Sequence, residues 1–282
     1  MTASTLPISL AAFSRIGFCI AKPTSAILNA AAHIPAHLLT LDVGPALLAE
    51  KQAVIDAKPP KKGGKAKDRT PLYQSSAQVA LSHTPESLLL DVTPGGLLCC
   101  VGFPKKQIGK LMSDCLVTAV QDASLPSVDR FVGSGGGRIW PRAGEPVPAG
   151  TTVGVHPPSP SIASTLTTNP RNLEWSEFTA AAIQLGTISS IEPTSNSSTL
   201  RAVIDFGNAN PAARCGLILA NDAPLVDRRA ELVGKQVLVL VNMEPADARG
   251  IFGEDVDGLV LTVAGRGVLV PLKDVANGFV LA

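Results

Sequence analysis

The stretch LLTLDVG at residues 38–44 recurs as LRAVIDFG at residues 200–207. Each reads as a half-buried strand of period two, and each stops at Asp-x-Gly. Working outward, three more matches follow in the same order. RIGFCIAKPTSA (15–26) lies beside QLGTISSIEPTSN (184–196), each a short strand with Gly at its third position and Pro-Thr-Ser farther on. LLCCVGFPKKQIGKLMSDCLV (97–117) lies beside QVLVLVNMEPADARGIFGEDVDGLV (236–260), each a buried strand, a Pro-containing turn and a second apolar strand. RIWPRAGEPVPAGTTVG (138–154) lies beside GVLVPLKDVANGFVLA (267–282). Four matches in one order mark a duplicated unit.

The composition suits two small β domains. The 282 residues are ample for two cores, and 25 glycines with 23 prolines call for many turns between short strands. Helical periodicity is confined to ALLAEKQAVIDA (46–57) and SEFTAAAI (176–183). The expected fold is therefore mainly β, with a small antiparallel barrel in each half. Between the halves, PPSPSIASTLTTNPRN (157–172) reads as an extended linker. No run of 18 apolar residues is present, so a membrane-spanning helix is not expected. The Ser/Thr-rich, acid-free first twenty residues have the composition of a weak presequence, but the repeat, which puts Gly17 in a strand, argues against that reading.

The net charge of +1 hides an asymmetry. Residues 1–157 carry 15 Lys+Arg against 10 Asp+Glu, and residues 158–282 carry 9 against 13, so +5 faces −4. Six cations, Lys58, Lys61, Lys62, Lys65, Lys67 and Arg69, crowd into twelve residues of the first half. Such a run suits a solvated loop that meets an anionic partner.

The motifs QSSAQV (74–79), GFPKKQIGKLMSDCLV (102–117) and PVPAGTTVG (146–154) give the first half a resemblance to the tRNA-binding OB-fold domain in its stand-alone, CsaA-like chaperone form. VIDFGNANPAARCGLILA and LVGKQVLVLVNMEPADARGIFGEDVDGLVL make the second half similar to the version in endothelial monocyte-activating polypeptide, also appended to some tRNA synthetases. The resemblance implies two OB barrels in tandem, each with C-terminal extension strands, packed as a pseudo-dimer. It implies a first domain at 1–157 with a basic insertion at 58–69, a linker at 158–173, and a degenerate acidic domain at 174–282.

It also implies a nucleic-acid site on the first barrel. Gln74, Ser75, Ser76 and Gln78 match the polar strand of the family, Ser113 matches a serine before the last core strand, and Lys105, Lys106 and Lys110 fall at the barrel mouth. By position beside the basic loop, Tyr73 is the best candidate for base stacking, with burial as the alternative, whereas Phe103, Trp140 and Phe252 read as core. In the second copy, Cys215-Gly216-Leu217 is expected opposite Ser76-Ala77-Gln78, with Glu254, Asp255 and Asp257 in place of the serine.

The five cysteines show no C-x-x-C pair, and the four histidines supply no ligand spacing, so buried reduced thiols are expected and no metal or cofactor. VGSGGGR (132–138) lacks the Gly-Lys-Ser/Thr that a phosphate loop needs. No Ser–His–Asp or Cys–His constellation is evident, so catalysis is not expected. The leading expectation is a cytoplasmic, non-catalytic tRNA-binding cofactor of aminoacyl-tRNA synthetases. The alternatives are a chaperone for unfolded polypeptides and a protein scaffold without RNA.

Overall fold

The computed structural model describes residues 6–29, 35–57, 71–77, 80, 84–90, 96–108, 111–118, 120–121, 137–141, 149, 151, 153–154, 173–194, 199–207, 212–218, 229–263, 267–271 and 280–281. The first half runs α1 (Leu10–Ser14), β1 (Gly17–Asn29), β2 (Ala36–Asp42), α2 (Pro45–Asp56), β3 (Tyr73–Ala77), α3 (Pro85–Leu90), β4 (Leu97–Val101), β5 (Lys106–Ile108), β6 (Leu111–Ser113), β7 (Leu116–Val117), β8 (Val120–Gln121), β9 (Gly137–Pro141) and β10 (Val153–Gly154). The second runs α4 (Trp175–Ala180), β11 (Ile183–Pro193), β12 (Leu200–Asp205), β13 (Ala213–Leu217), α5 (Arg229–Leu232), β14 (Gln236–Leu240), α6 (Pro245–Phe252), β15 (Gly258–Val260), β16 (Thr262–Val263), β17 (Gly267–Pro271) and β18 (Val280–Leu281).

The second half closes a five-stranded ring in which β11, β12, β13, β15 and β14 pair in turn and β14 returns to β11. Only the β13–β15 pair is parallel. This order is that of an OB barrel. The first half repeats it as β3-β2-β1-β4-β7. There the β3–β7 seam is held by Val117 N–H donating to Ser75 Oγ at 3.3 Å and Asp114 N–H donating to the Gln74 carbonyl at 2.7 Å.

The repeated motifs build repeated joints. A register shift at Pro23/Ser25 in β1, and another at Ile188/Ser190 in β11, lets each long strand bend and serve two walls of its barrel. At the strand ends, Gly44 N–H donates to Asp42 Oδ1 at 2.9 Å and Gly207 N–H to Asp205 Oδ1 at 2.8 Å. The φ values of 86° and 84° at those glycines explain why Asp-x-Gly closes both strands. One detail of the sequence match is corrected by the register. Lys22 pairs with Asp42 and Thr187 with Asp205, so Gly186 corresponds to Ala21, not to Gly17.

Each barrel has its own core, and a further apolar cluster is shared between them. In β4 every residue is buried, because the strand is covered on both faces. Cys99 points into the first barrel, while Leu98 and Cys100 point outward into a second cluster. That second cluster combines Phe13, Phe18, Ile20, Leu98 and Cys100 of the first half with Phe178, Ile183, Leu185, Leu238 and Leu240 of the second. Phe18 sits 6.1 Å from both Phe13 and Phe178, ring centroid to centroid.

The ends of each half are exchanged across this core. Ile8 N–H donates to the Asn242 carbonyl at 2.7 Å, and Glu244 N–H donates back to the Ile8 carbonyl at 2.9 Å. Reciprocally, Leu173 N–H donates to the Gly102 carbonyl at 2.9 Å. Strand β10 pairs with β16, β18 pairs with β8, and β9 pairs with β17, so the extension strands also cross over.

Six short helices punctuate the described residues, more than the two that sequence periodicity indicates. SEFTAAAI ends its helix at Ala180 because β11 begins at Ile183. The least expected is α6, which replaces the second copy's Pro-containing turn. Pro245 opens it, and Gly253 closes it at φ 71°.

Phe18→Ala is expected to cost about 3–5 kcal/mol in urea unfolding. Because the cluster is shared, the variant should still unfold in a single transition. Two transitions, one of them untouched by the substitution, would contradict a common core.

Candidate nucleic-acid interface

The strand YQSSA turns its side chains alternately into and away from the first barrel. Ser75 is buried in the barrel wall, where its Oγ accepts from Val117 N–H. Ser113 is buried too, with its Oγ donating to the Cys115 carbonyl at 2.8 Å. The Ser75 hydroxyl therefore holds the β3–β7 seam, and that of Ser113 is taken up within its own connection. Ser76 is half-buried, and its Oγ has no hydrogen-bond partner among the described residues.

Gln74, Tyr73 and Lys105 gather around one carboxylate. Asp114 Oδ2 accepts from Gln74 N–H at 3.1 Å, and Asp114 Oδ1 lies 2.8 Å from Lys105 Nζ. A second cation, missed by the sequence reading, completes the group. Lys51, on α2, reaches Asp114 Oδ2 at 3.0 Å, donates to the Leu72 carbonyl, and stands 4.4 Å above the centre of the Tyr73 ring. Nothing in ALLAEKQAVIDA marks this lysine, because the contact joins a helix and a hairpin far apart in sequence. Burial lowers the Lys51 ammonium below its ordinary pKa, against the opposing pull of Asp114. Lys105 is the more open of the pair, its side chain 58% exposed.

The seam carboxylate is common to both halves. Arg214 N–H donates to Asp257 Oδ2 at 2.8 Å, and Asp257 N–H to the Arg214 carbonyl at 2.7 Å, as Gln74 and Asp114 do. This equivalence corrects the sequence alignment. Cys215 stands opposite Ser75 and Gly216 opposite Ser76, so Ser113 is replaced by Val256, and Asp257 is the counterpart of Asp114. What differs is the mouth. In the second barrel Phe252 is fully buried over Gly216, where an added Cβ would lie 2.1 Å from Phe252 Cζ. Arg201, which bonds Glu254 at 3.1 Å and Glu192 at 2.6 Å, ties the acidic loop to the barrel wall. In the first barrel the corresponding connection is the β5–β6 hairpin, and the counterpart of Gly216 is the partnerless Ser76.

Lys58, Lys61, Lys62, Lys65, Lys67, Arg69, Gln78 and Lys110 lie outside the described residues, as do residues 158–172 of the linker. Lys106 opens β5 and pairs in register with Ser113. Phe252 is core, as the sequence suggests, whereas Phe103 is half-buried against Trp175. All five cysteines are free and buried. Hydrogen bonds with the Cys115 and Cys19 thiols, then burial, hold Cys99 well above the ordinary thiol pKa, so it carries no reactive thiolate at neutral pH. Among the described residues no His/Cys/Asp/Glu group could hold a metal ion, and no helix is long and apolar enough to cross a membrane.

No family model matches the chain, and no curated protein matches it. Solved structures that resemble it include the MetRS related protein from Pyrococcus horikoshii, with 21% identity over 38% of this chain and 95% of that one, at a TM-score of 0.30. The chaperone CsaA of Bacillus anthracis str. Ames is 23% identical over 39% of this chain and 98% of its own, at 0.29. The CsaA chaperone protein of Picrophilus torridus is 21% identical over 39% and 99%, at 0.31. Likenesses at these TM-scores carry no weight for function.

Tyr73 is the only tyrosine, so tyrosinate absorbance reports it alone. Burial, and after it the acidic neighbours Cys115, Glu50 and Asp114, raise its pKa to about 12. In the unfolded chain it should titrate near the ordinary value of about 10. The folded state thus holds the proton more tightly, and this contribution to stability, full below pH ~10, is lost as pH rises towards 12. Rapid alkaline jumps should show a folded-state midpoint about two units above the urea-unfolded one. A midpoint near 10 in the folded chain would contradict the burial of Tyr73 under Lys51.

Proposed function

We propose that the protein is a non-catalytic RNA-binding protein, with tRNA as its ligand and the first barrel as its binding half. The observation that carries this reading is the asymmetry of the two mouths. One is sealed by Phe252 and edged with acids, while the other offers Lys105 beside Tyr73 and Gln74 in the half with surplus positive charge. An OB barrel uses such a face to hold a phosphate backbone, with cations at the rim and polar groups along the groove. The resemblance of QSSAQV and GFPKKQIGKLMSDCLV to the tRNA-binding domain supports tRNA over other RNA.

In this reading residues 1–157 bind RNA, residues 174–282 support them as a built-in second subunit, and 158–173 link the two. Work beside aminoacyl-tRNA synthetases in the cytoplasm is the role that fits a carrier without chemistry of its own.

The test is fluorescence anisotropy of bulk tRNA at several salt concentrations. The intact chain is compared with Lys105→Ala and with a variant in which the six cations from Lys58 to Arg69 are alanine. Binding should weaken with salt, and each cation removed from a phosphate should shallow the logarithmic slope by about 0.7–0.9. Absence of tRNA binding at low salt would overturn the proposal.

A further inference from the structure

The connection that carries Lys105 also carries Phe103, and Phe103 is covered by residues of the other half. Leu173 N–H bonds the Gly102 carbonyl, which fixes α4 against this connection. A reciprocal capping box fixes its start, with Glu174 N–H donating to Glu177 Oε2 at 2.9 Å. Phe178 is buried beneath. These anchors hold Trp175 in a triangle of rings, with centroids 5.3 Å from Phe178 and 5.9 Å from Phe103, and Phe103 5.9 Å from Phe178.

Trp175 is nevertheless 49% exposed. The exchanged ends provide a comparison within the same molecule. Ile8 and Leu173 occupy equivalent places, so the counterpart of Trp175 is Leu10 and that of Phe103 is Met243. Leu10 is only 6% exposed and Met243 is buried beside it in the shared core. The Leu10 N–H is taken by Asp247 Oδ2 of α6 at 2.6 Å. Packing at this joint therefore asks for nothing larger than a buried aliphatic residue. At the other of the two equivalent places stands an open indole. It lies against Phe103, two residues before the exposed Lys105, and so touches the more basic half.

We propose that Trp175 is a stacking platform for an unpaired nucleobase of RNA whose phosphates lie along the Lys105 connection. A ring held by two others and by a capped helix has little rotamer freedom left to lose when a base stacks on it. Base–aromatic stacking tolerates any sequence, which suits a binder that reads shape and charge. The site is assembled from both halves, so the first barrel alone would lack it. This inference rests on the RNA-binding reading above.

Two readouts test it in the full chain, with bulk tRNA and single-stranded oligouridylate as probes. Trp175→Ala should weaken binding about tenfold, within the range expected for one stacked base. Its salt slope should match that of the intact chain, since every cation that meets a phosphate is still present, whereas Lys105→Ala should shallow it. Stacking should also quench indole emission. Trp175→Phe leaves Trp140 as the one remaining indole, so the quenching should vanish in that variant while most of the affinity remains. If tRNA binds the intact chain and Trp175→Ala equally, without quenching of Trp175, the platform is refuted and the RNA reading stands. If the intact chain binds no tRNA, both fall. Should Trp175→Ala fail to fold, the loss of quenching in Trp175→Phe decides alone.

Discussion

The shared cluster around Phe13, Phe18 and Phe178 is the contact on which the rest of the structure depends. Each barrel is too small to bury both faces of its central strands, and β4 and β14 are apolar almost throughout. Leu98 and Cys100 on one side, and Leu238 and Leu240 on the other, would face water if the halves separated. Removing apolar surface of this kind is worth about 25 cal/mol for each Å². Exchanged ends then lock the pairing, because β8 and β10 of the first half pair with β18 and β16 of the second. Joining both barrels in one chain makes this association intramolecular, with no cost of bringing separate subunits together.

Duplication inside one chain also frees the copies to diverge. Both retain the parts that close a barrel: the bulged first strand, the Asp-x-Gly stop, and the seam carboxylate, Asp114 or Asp257. They differ between the fourth and fifth barrel strands. A hairpin there leaves Ser76 without a partner, while a helix there drives Phe252 onto Gly216. Any side chain at position 216 would force that ring to move, so the plug and the missing side chain form one feature. The second mouth is filled by packing.

Much of this was legible in the sequence because strand periodicity and strand-ending turns are local. Period-two runs, Asp-x-Gly and the order of four matches are enough for two β units. The continuous runs LLCCV and QVLVL already indicate strands buried on both faces. What a one-dimensional alignment could not fix was register. Gly17 and Gly186 align by eye, yet bulges and hydrogen-bond pairing match Gly186 to Ala21. Ser75 and Ser113 read as groove residues, whereas the Ser75 hydroxyl is taken by Val117 N–H across the seam and that of Ser113 bonds the Cys115 carbonyl. Lys51 and Trp175 carried no signal of their own. Each becomes significant through a neighbour distant in sequence, Asp114 and Tyr73 for the one, Phe103 for the other.

An open, RNA-facing mouth and a sealed one in a single chain should meet RNA unequally. Ultraviolet crosslinking of bulk tRNA to the full chain, followed by mass spectrometry of the crosslinked peptides, tests it most directly. Crosslinks are expected in the peptides that carry Tyr73, Phe103 to Lys106, and Trp175, and none in the peptide around Phe252 and Asp257. Crosslinks centred on the second mouth, or spread equally over both, would contradict it.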